Sequence, residues 1–417
     1  MPFLSVMMST FAALFYLLLL AFVPHEVHSS SHDSFVTKYA TNENPNVGGL
    51  CATSIIIHGY KCHEHTVITE DGYVLGLQRI PEGRAEVNGT HTKKQPVILQ
   101  HGLLVDSNAW LVNGPKLDLP FILADNGYDV WFSNTRGTKF SRQHVSLDPS
   151  NSEFWNWTWD ELVAYDLPAV FDYVSNKTGQ KINYIGHSQG TLIALASFSE
   201  GKLINQVKSA VLLSPIAYLS HMTTKLGLVV ANTFIAEIIH SIGPAEFNLH
   251  KPSVDGFIHT LCNGNPGLDC YDLFNVVTGP NCCLNSSSFD MFMKNEPQST
   301  STKNLVHFAQ IYRNGVLRKF DYFSPIQNFM HYGQLSPPRY NLFNIPHDIP
   351  LFLSYGGKDA LSDVNDIHRL LHVLKFHEAD KLTVQFIKEY AHADFVMGIN
   401  AKDIVYNDVL SFLSRHA

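Results

Sequence analysis

The stretch Gly186-His187-Ser188-Gln189-Gly190 sets a serine between two glycines, and Asp359 and His392 follow it where they could make that serine react. A serine hydroxyl is a weak nucleophile at neutral pH and needs a base to take its proton. A histidine can be that base, and a carboxylate can fix its tautomer and stabilise its charged form. Such a trio performs acyl transfer: attack on an ester carbonyl, a covalent acyl-serine, then release by water. Asp359 lies in GGKDAL, just past the apolar run LFLSY, and His392 lies in YAHADF, just past LTVQFIKEY. Alone, Asp359 reads equally as a loop or helix-capping carboxylate, and His392 is one of 22 histidines. Their succession at consecutive strand ends singles them out. Asp363 stands where a helix N-cap belongs, and Asp394 is placed to orient the loop holding His392.

The tetrahedral oxygen formed in that attack needs two backbone N–H donors. Gln189, the residue after the serine, offers one. The loop QHGLLVDSNAW, with His101-Gly102 ahead of Leu103, offers the second through the Leu103 N–H. A G-x-S-x-G pattern is short and gains meaning only from a strand before it and a helix after it. Both are expected: Ile182 to Ile185 is an apolar run, and Leu192 to Phe198 has helical composition. Gly186 and Gly190 then let strand and helix approach a turn that side chains would block.

The elements that must carry these groups are legible further along. Strands are expected in 94–102, 127–137, 206–217, 349–361 and in LTVQFIKEYAHADF, alternating with helices at Trp157 to Val174, Asp363 to Leu374 and Ala401 to Leu413. Strands alternating with helices imply parallel βαβ units. The predicted class is therefore α/β with a mostly parallel central sheet, and its active groups belong at the carboxyl ends of the strands. Ahead of it, Cys51 to Tyr60 and then HTVITEDGYVLGLQRI read as strands of an antiparallel ribbon turning at Glu70-Asp71-Gly72. After Ser214-Pro215 the α/β pattern is lost for some 120 residues. The expected organisation is a core in two parts, 31–217 and 336–417, interrupted by an irregular insertion at 218–335. The apolar run 226–239 reads first as a buried helix of that insertion, and second as a wall for an acyl chain.

The first thirty residues contain FAALFYLLLLAFV followed by polar, small residues, which reads as a secretory leader, 1–30. Four N-glycosylation sequons, at Asn88, Asn156, Asn176 and Asn285, agree with that route, as do six cysteines. Passage to the secretory lumen, the cell exterior or a vacuole- or lysosome-like compartment is expected, with no membrane span in the mature chain. A net charge of −8 without a basic cluster argues against a nucleic-acid partner. The 22 histidines would swing that acidic charge towards basic at pH 5. Cys62-His63-Glu64-His65 has metal-ligand residue types but lacks the spacing of a metal site, and Gly264 to Gly267 follows no strand. No metal and no cofactor are expected.

Several blocks together resemble the acid lipase family, which includes gastric and lysosomal acid lipases, and resemble its plant triacylglycerol lipases most. They are GYKCHEHTVITEDGYVLGLQRIP, QHGLLVDSNAW, DVWFSNTRGTKFSRQHVSL, FWNWTWDELVAYDLPA, IGHSQGT, FDYFSPIQNFMHYGQLSPPRYNL, YGGKDALSD and YAHADFVMG. The resemblance covers essentially the mature chain. It implies an α/β-hydrolase core with a helical cap and lid, and cofactor-free hydrolysis of triacylglycerols or sterol esters at a lipid–water interface. On the matching motifs, nucleophile, acid and base fall on Ser188, Asp359 and His392, and the oxyanion donors fall on Leu103 and Gln189. Cys262, Cys270, Cys282 and Cys283 depart from the gastric and lysosomal pattern. Three other readings use the same residues: an acyltransferase, a short-chain carboxylesterase, and a non-catalytic lipid-binding protein of this fold.

Overall fold

Apolar runs of five or six residues become strands buried on both faces, and the segments between them become helices. The computed structural model describes residues 48–85, 93–224, 243–249 and 270–416. The leader, Asn88, the run 226–239, Cys262 and Gly264 to Gly267 lie outside them.

The main sheet contains β1 (His63–Ile68), β2 (Tyr73–Ile80), β3 (Gln95–Gln100), β4 (Tyr128–Ser133), β5 (Gln143–His144), β6 (Ile182–His187), β7 (Val207–Leu213), β10 (Leu351–Gly356) and β11 (Leu382–Ile387). Its order is β1-β2-β4-β3-β6-β7-β10-β11, with β5 paired to β2. From β4 to β11 every neighbour is parallel, while β1, β2 and β5 add an antiparallel edge. Alternate residues feed two cores. Ile98, Tyr184, Leu212 and Leu353 face one side, and Leu99, Ile185, Val211 and Phe352 face the other. Helices cover both: Leu167–Thr178 (α2), Gln189–Ser199 (α3) and Val364–Val373 (α8) on the first, Leu119–Asp125 (α1) and Asn407–Arg415 (α9) on the second. Fully burying one such Leu or Ile contributes about 1.5–3 kcal/mol. That is why the central strands run apolar without alternation.

Two local expectations change. Cys51–Ile55 is a wide helical turn and Ile56–His58 a tight one, so this stretch is helical rather than extended. Its Ile-Ile-Ile run favours a strand, but a disulfide from Cys51 to Cys62 and a bond from the Cys51 N–H to Glu64 Oε1 fold it back onto β1. The helix expected at 157–174 is three pieces: a turn at Trp159–Glu161, a wide turn at Leu162–Asp166, and α2. Pro168 lacks an N–H, and the widened turn absorbs the missing bond.

Between β7 and β10 no described residue joins the main sheet. This segment contributes a short ribbon, β8 (Glu246–Phe247) with β9 (Thr300–Ser301), and the helices α4 (Cys270–Thr278), α5 (Ser286–Asn295), α6 (Thr302–Asn314) and α7 (Pro325–Tyr332).

Candidate active site

Ser188 stands between β6 and α3 with φ 54° and ψ −120°, a region an L-residue occupies only when its surroundings force it. Here the surroundings are close. A Cβ on Gly190 would lie 2.6 Å from the Gln100 carbonyl oxygen, and one on Gly186 would lie 2.9 Å from the Gly190 backbone. The Ser188 N–H is held by the Leu213 carbonyl at 3.1 Å, and its carbonyl takes the Thr191 hydroxyl at 2.6 Å. The chain therefore turns sharply and lifts the hydroxyl off the sheet.

Asp359 follows β10 and His392 follows β11, and the structure brings them together. His392 Nδ1 lies 3.0 Å and 2.9 Å from the two oxygens of Asp359. Asp359 Oδ1 also accepts the N–H groups of Leu361 and Ser362, at 2.9 and 2.8 Å. Burial pushes the Asp359 carboxyl up most strongly. The His392 charge and these hydrogen bonds outweigh it and hold the group below its ordinary value. His392 Nε2 is buried and has no protein partner among the described residues. It shares with Ser188, Leu103 and Gly102 an apolar cavity of about 480 Å³. Phe247, Phe274, Leu305, Phe308 and Met397 also line that cavity, whose size suits a ligand.

Leu103 follows β3. A Cβ on Gly102 would sit 3.0 Å from Ser188 Cβ and 3.4 Å from Oγ, so the loop passes directly over the serine. Gln189 opens α3, so its N–H has no partner within the helix, and its side chain accepts Asn304 Nδ2 at 3.0 Å. His101 is a positioning residue that sequence reasoning left without a role. Its Nδ1 donates to the Gly102 carbonyl at 2.8 Å while Nε2 accepts the Thr135 N–H at 3.0 Å. In a trans peptide the N–H points opposite to the C=O. Fixing the Gly102 carbonyl therefore fixes the direction of the Leu103 N–H. His187 is the second such residue: its Nε2 lies 2.9 Å from the His392 carbonyl. Burial lowers both rings, His101 to about 4 and His187 to about 3, with the neighbouring His392 also pushing His187 down. Both are neutral, and each supplies a donor without adding a charge beside His392.

Asp363 caps α8 by accepting the Asn365 N–H, and Asp394 accepts the Ala391 N–H at 2.7 Å, bracing the His392 loop. Cys282, Cys283 and Asp394 bring metal-ligand atom types together. The two sulfurs are bonded to each other, however, and both Asp394 oxygens accept backbone N–H groups. Cys62 is likewise in a disulfide, and Glu64 bonds the Cys51 N–H and Gln78.

Two family profiles match the chain. A partial alpha/beta-hydrolase lipase region covers 51–114, and the alpha/beta hydrolase fold covers 95–235. Triacylglycerol lipase 2 of Arabidopsis thaliana is 58% identical over 371 residues, which is 89% of this chain and 88% of that protein. Gastric triacylglycerol lipase of Homo sapiens is 37% identical over 384 residues, covering 89% and 92%. Among solved structures, a soluble variant of monoglyceride lipase from Saccharomyces cerevisiae aligns with a TM-score of 0.53 at 16% identity, covering 84% of this chain and 94% of that one. At that identity it speaks for the fold alone.

Proposed function

The chain belongs to the acid lipase family of α/β-hydrolases, and we propose that Ser188, His392 and Asp359 hydrolyse fatty acyl esters, triacylglycerols among them. The enzyme is a carboxylic ester hydrolase of the lipase type, as its relatives are named. One observation supports the residue assignment above the rest: His392 gives Nδ1 to Asp359, keeps a buried Nε2 without a partner among the described residues, and lines the same cavity as Ser188. Ser188 Oγ attacks the ester carbonyl as His392 Nε2 takes its proton. The oxygen that becomes negative is met by the N–H groups of Leu103 and Gln189. The proton passes to the leaving alcohol, and water, deprotonated by the same nitrogen, releases the fatty acid.

In this reading 31–217 and 336–417 form the core and 218–335 a cap over it, whose apolar side chains hold the acyl chain. We place the enzyme in the secretory lumen or beyond, at lipid–water interfaces. The apolar leader, the exposed Asn156, Asn176 and Asn285, and the Cys51–Cys62 disulfide support that route. Among the described residues no helix is long and apolar enough to cross a membrane. The test is a hydrolysis profile over glycerol esters of increasing chain length at pH 5 and pH 8. Activity on long-chain triacylglycerol emulsions is expected. Turnover confined to soluble short esters would reduce the reading to an esterase.

A further inference from the structure

The connection from α4 to α5, Thr278–Cys283, lies against both loops that carry the proposed acid and base. The Thr278 carbonyl accepts the N–H of Ala360, beside Asp359, at 3.3 Å and that of His392 at 3.1 Å. Asn281 Oδ1 accepts the Ala393 N–H at 3.1 Å. The far end of this clamp is a disulfide between adjacent residues, Cys282–Cys283, with Cα atoms 3.7 Å apart, the spacing of a trans peptide. The N–H groups of Cys282 and Cys283 run to the two oxygens of Asp394, at 3.2 and 3.0 Å. Asp394 in turn holds the Ala391 N–H, one residue before His392. A single buried carboxylate therefore links the disulfide ring to the base.

Loop closure does not explain this bond. The Cys51–Cys62 bridge spans a separation of 11 residues, for which chain entropy gives about 3 kcal/mol. Adjacent residues are already together in the unfolded chain, so cross-linking them removes almost no entropy. What the ring does is fix the local backbone so that two successive N–H groups converge on Asp394.

We propose that Cys282–Cys283 is a thiol–disulfide exchange site for dithiol reductants, and that its reduction frees Asp394, displaces His392 and lowers turnover. The proposal rests on His392 being the base. Cys282 is exposed and Cys283 half-buried, and Cys283 Sγ accepts a hydrogen bond from Asn400 Nδ2 at 3.4 Å. A reductant thiolate attacks Cys282 Sγ and the S–S bond breaks. Cys283 leaves as a thiolate, stabilised by the Asn400 amide, and takes a proton. The reductant's second thiol then attacks the mixed disulfide, releases Cys282 as a thiol and closes the reductant into a cyclic disulfide. Two electrons and two protons pass from the dithiol to the pair.

The experiment titrates the full-length enzyme with dithiothreitol and follows a soluble short-chain nitrophenyl ester, with differential alkylation to map new thiols. Misplacing a catalytic group by about 1 Å costs on the order of 100-fold, so kcat should fall at least about tenfold while KM stays within about twofold. The new thiols should map to Cys282 and Cys283. The variant Cys282→Ser/Cys283→Ser should start at the lowered kcat and no longer respond to reductant. Full labelling of both cysteines with kcat unchanged overturns the proposal, and so does a double variant that still loses activity on reduction. His392→Ala separates this from the reading beneath it. An active His392→Ala removes the base assignment itself, whereas an inactive one beside an unresponsive native enzyme removes only the redox control.

Discussion

His392 presents Nδ1 to both carboxylate oxygens of Asp359, at 3.0 and 2.9 Å, while its Nε2 is buried without a partner among the described residues. The two halves of that geometry belong together. With Nδ1–H committed to a carboxylate that stays charged, the neutral form of the ring is the tautomer with its lone pair on Nε2. The nitrogen left over is the one that can take a proton from Ser188.

Asp359→Asn should therefore lower kcat by about 10⁴-fold with the fold intact, because an amide lets the ring settle in the wrong tautomer. Ser188→Ala should lower it by about 10⁶-fold. Steady-state kinetics on a short-chain ester decide both. Asp359→Asn within tenfold of the native enzyme would remove Asp359 from the mechanism.

If the Leu103 N–H is an oxyanion donor, as proposed, the side chain of His101 matters more to it than that of Leu103. Leu103→Ala leaves the backbone N–H in place and should change kcat by less than about fivefold. His101→Phe frees the Gly102 carbonyl and should cost on the order of 100-fold, approaching the loss of one donor. Equal effects of the two on kcat would show that His101 does not set the donor's direction.

How much of this was written in the sequence depends on how local each interaction is. The elbow around Ser188 was legible because strand, glycines and helix lie within some twenty residues. Asp359 and His392 were legible because each ends an apolar run. The helical start at Cys51–His58 was not, since its Ile run favours a strand and only a tether to Cys62 and Glu64 overrides it. His101 and His187 stand inside the two motifs, but nothing in the spacing tells that their rings reach the Gly102 and His392 carbonyls. Thr278, which ties both loops, is 114 residues from His392 in sequence (392 − 278), and nothing local announces that contact.

Asp106 and Glu296 illustrate the same limit and make a prediction about pH. Both are fully buried, 190 residues apart, and the Asp106 N–H donates to Glu296 Oε1 at 3.1 Å. Among the described residues Asp106 Oδ2 and Glu296 Oε2 have no hydrogen-bond partner. Burial raises both carboxyls, and the Asp106 charge raises Glu296 further, so the folded pair keeps a proton that the unfolded chain would release. Above the unfolded carboxyl pKa of about 4.3, stability falls as pH rises towards the folded value, and it is retained below. Glu296→Gln removes the buried carboxyl whose charged form is most disfavoured, and with it that loss. Its thermal midpoint should equal or exceed the native one at pH 8, with no gain at pH 4. A lower midpoint at pH 8 would contradict a buried carboxyl held protonated at Glu296.

Substrate length should be set by the cavity. Ala309 lines it and is buried, so Ala309→Phe fills space at a packing cost of about 1–3 kcal/mol. A kcat/KM profile over acyl chain length should lose the long esters by at least about tenfold, the value of roughly 1.4 kcal/mol. The shortest ester should change little. A uniform loss across all lengths would mean that this cavity does not hold the acyl chain.

Every proposed step starts from Ser188 as the nucleophile, and covalent trapping reaches it directly. Treatment with a long-chain alkylphosphonate nitrophenyl ester, followed by peptide mass spectrometry, should place one phosphonyl group on Ser188 for each molecule inactivated. Inactivation with the group on another residue, or full labelling of Ser188 with activity retained, would contradict it.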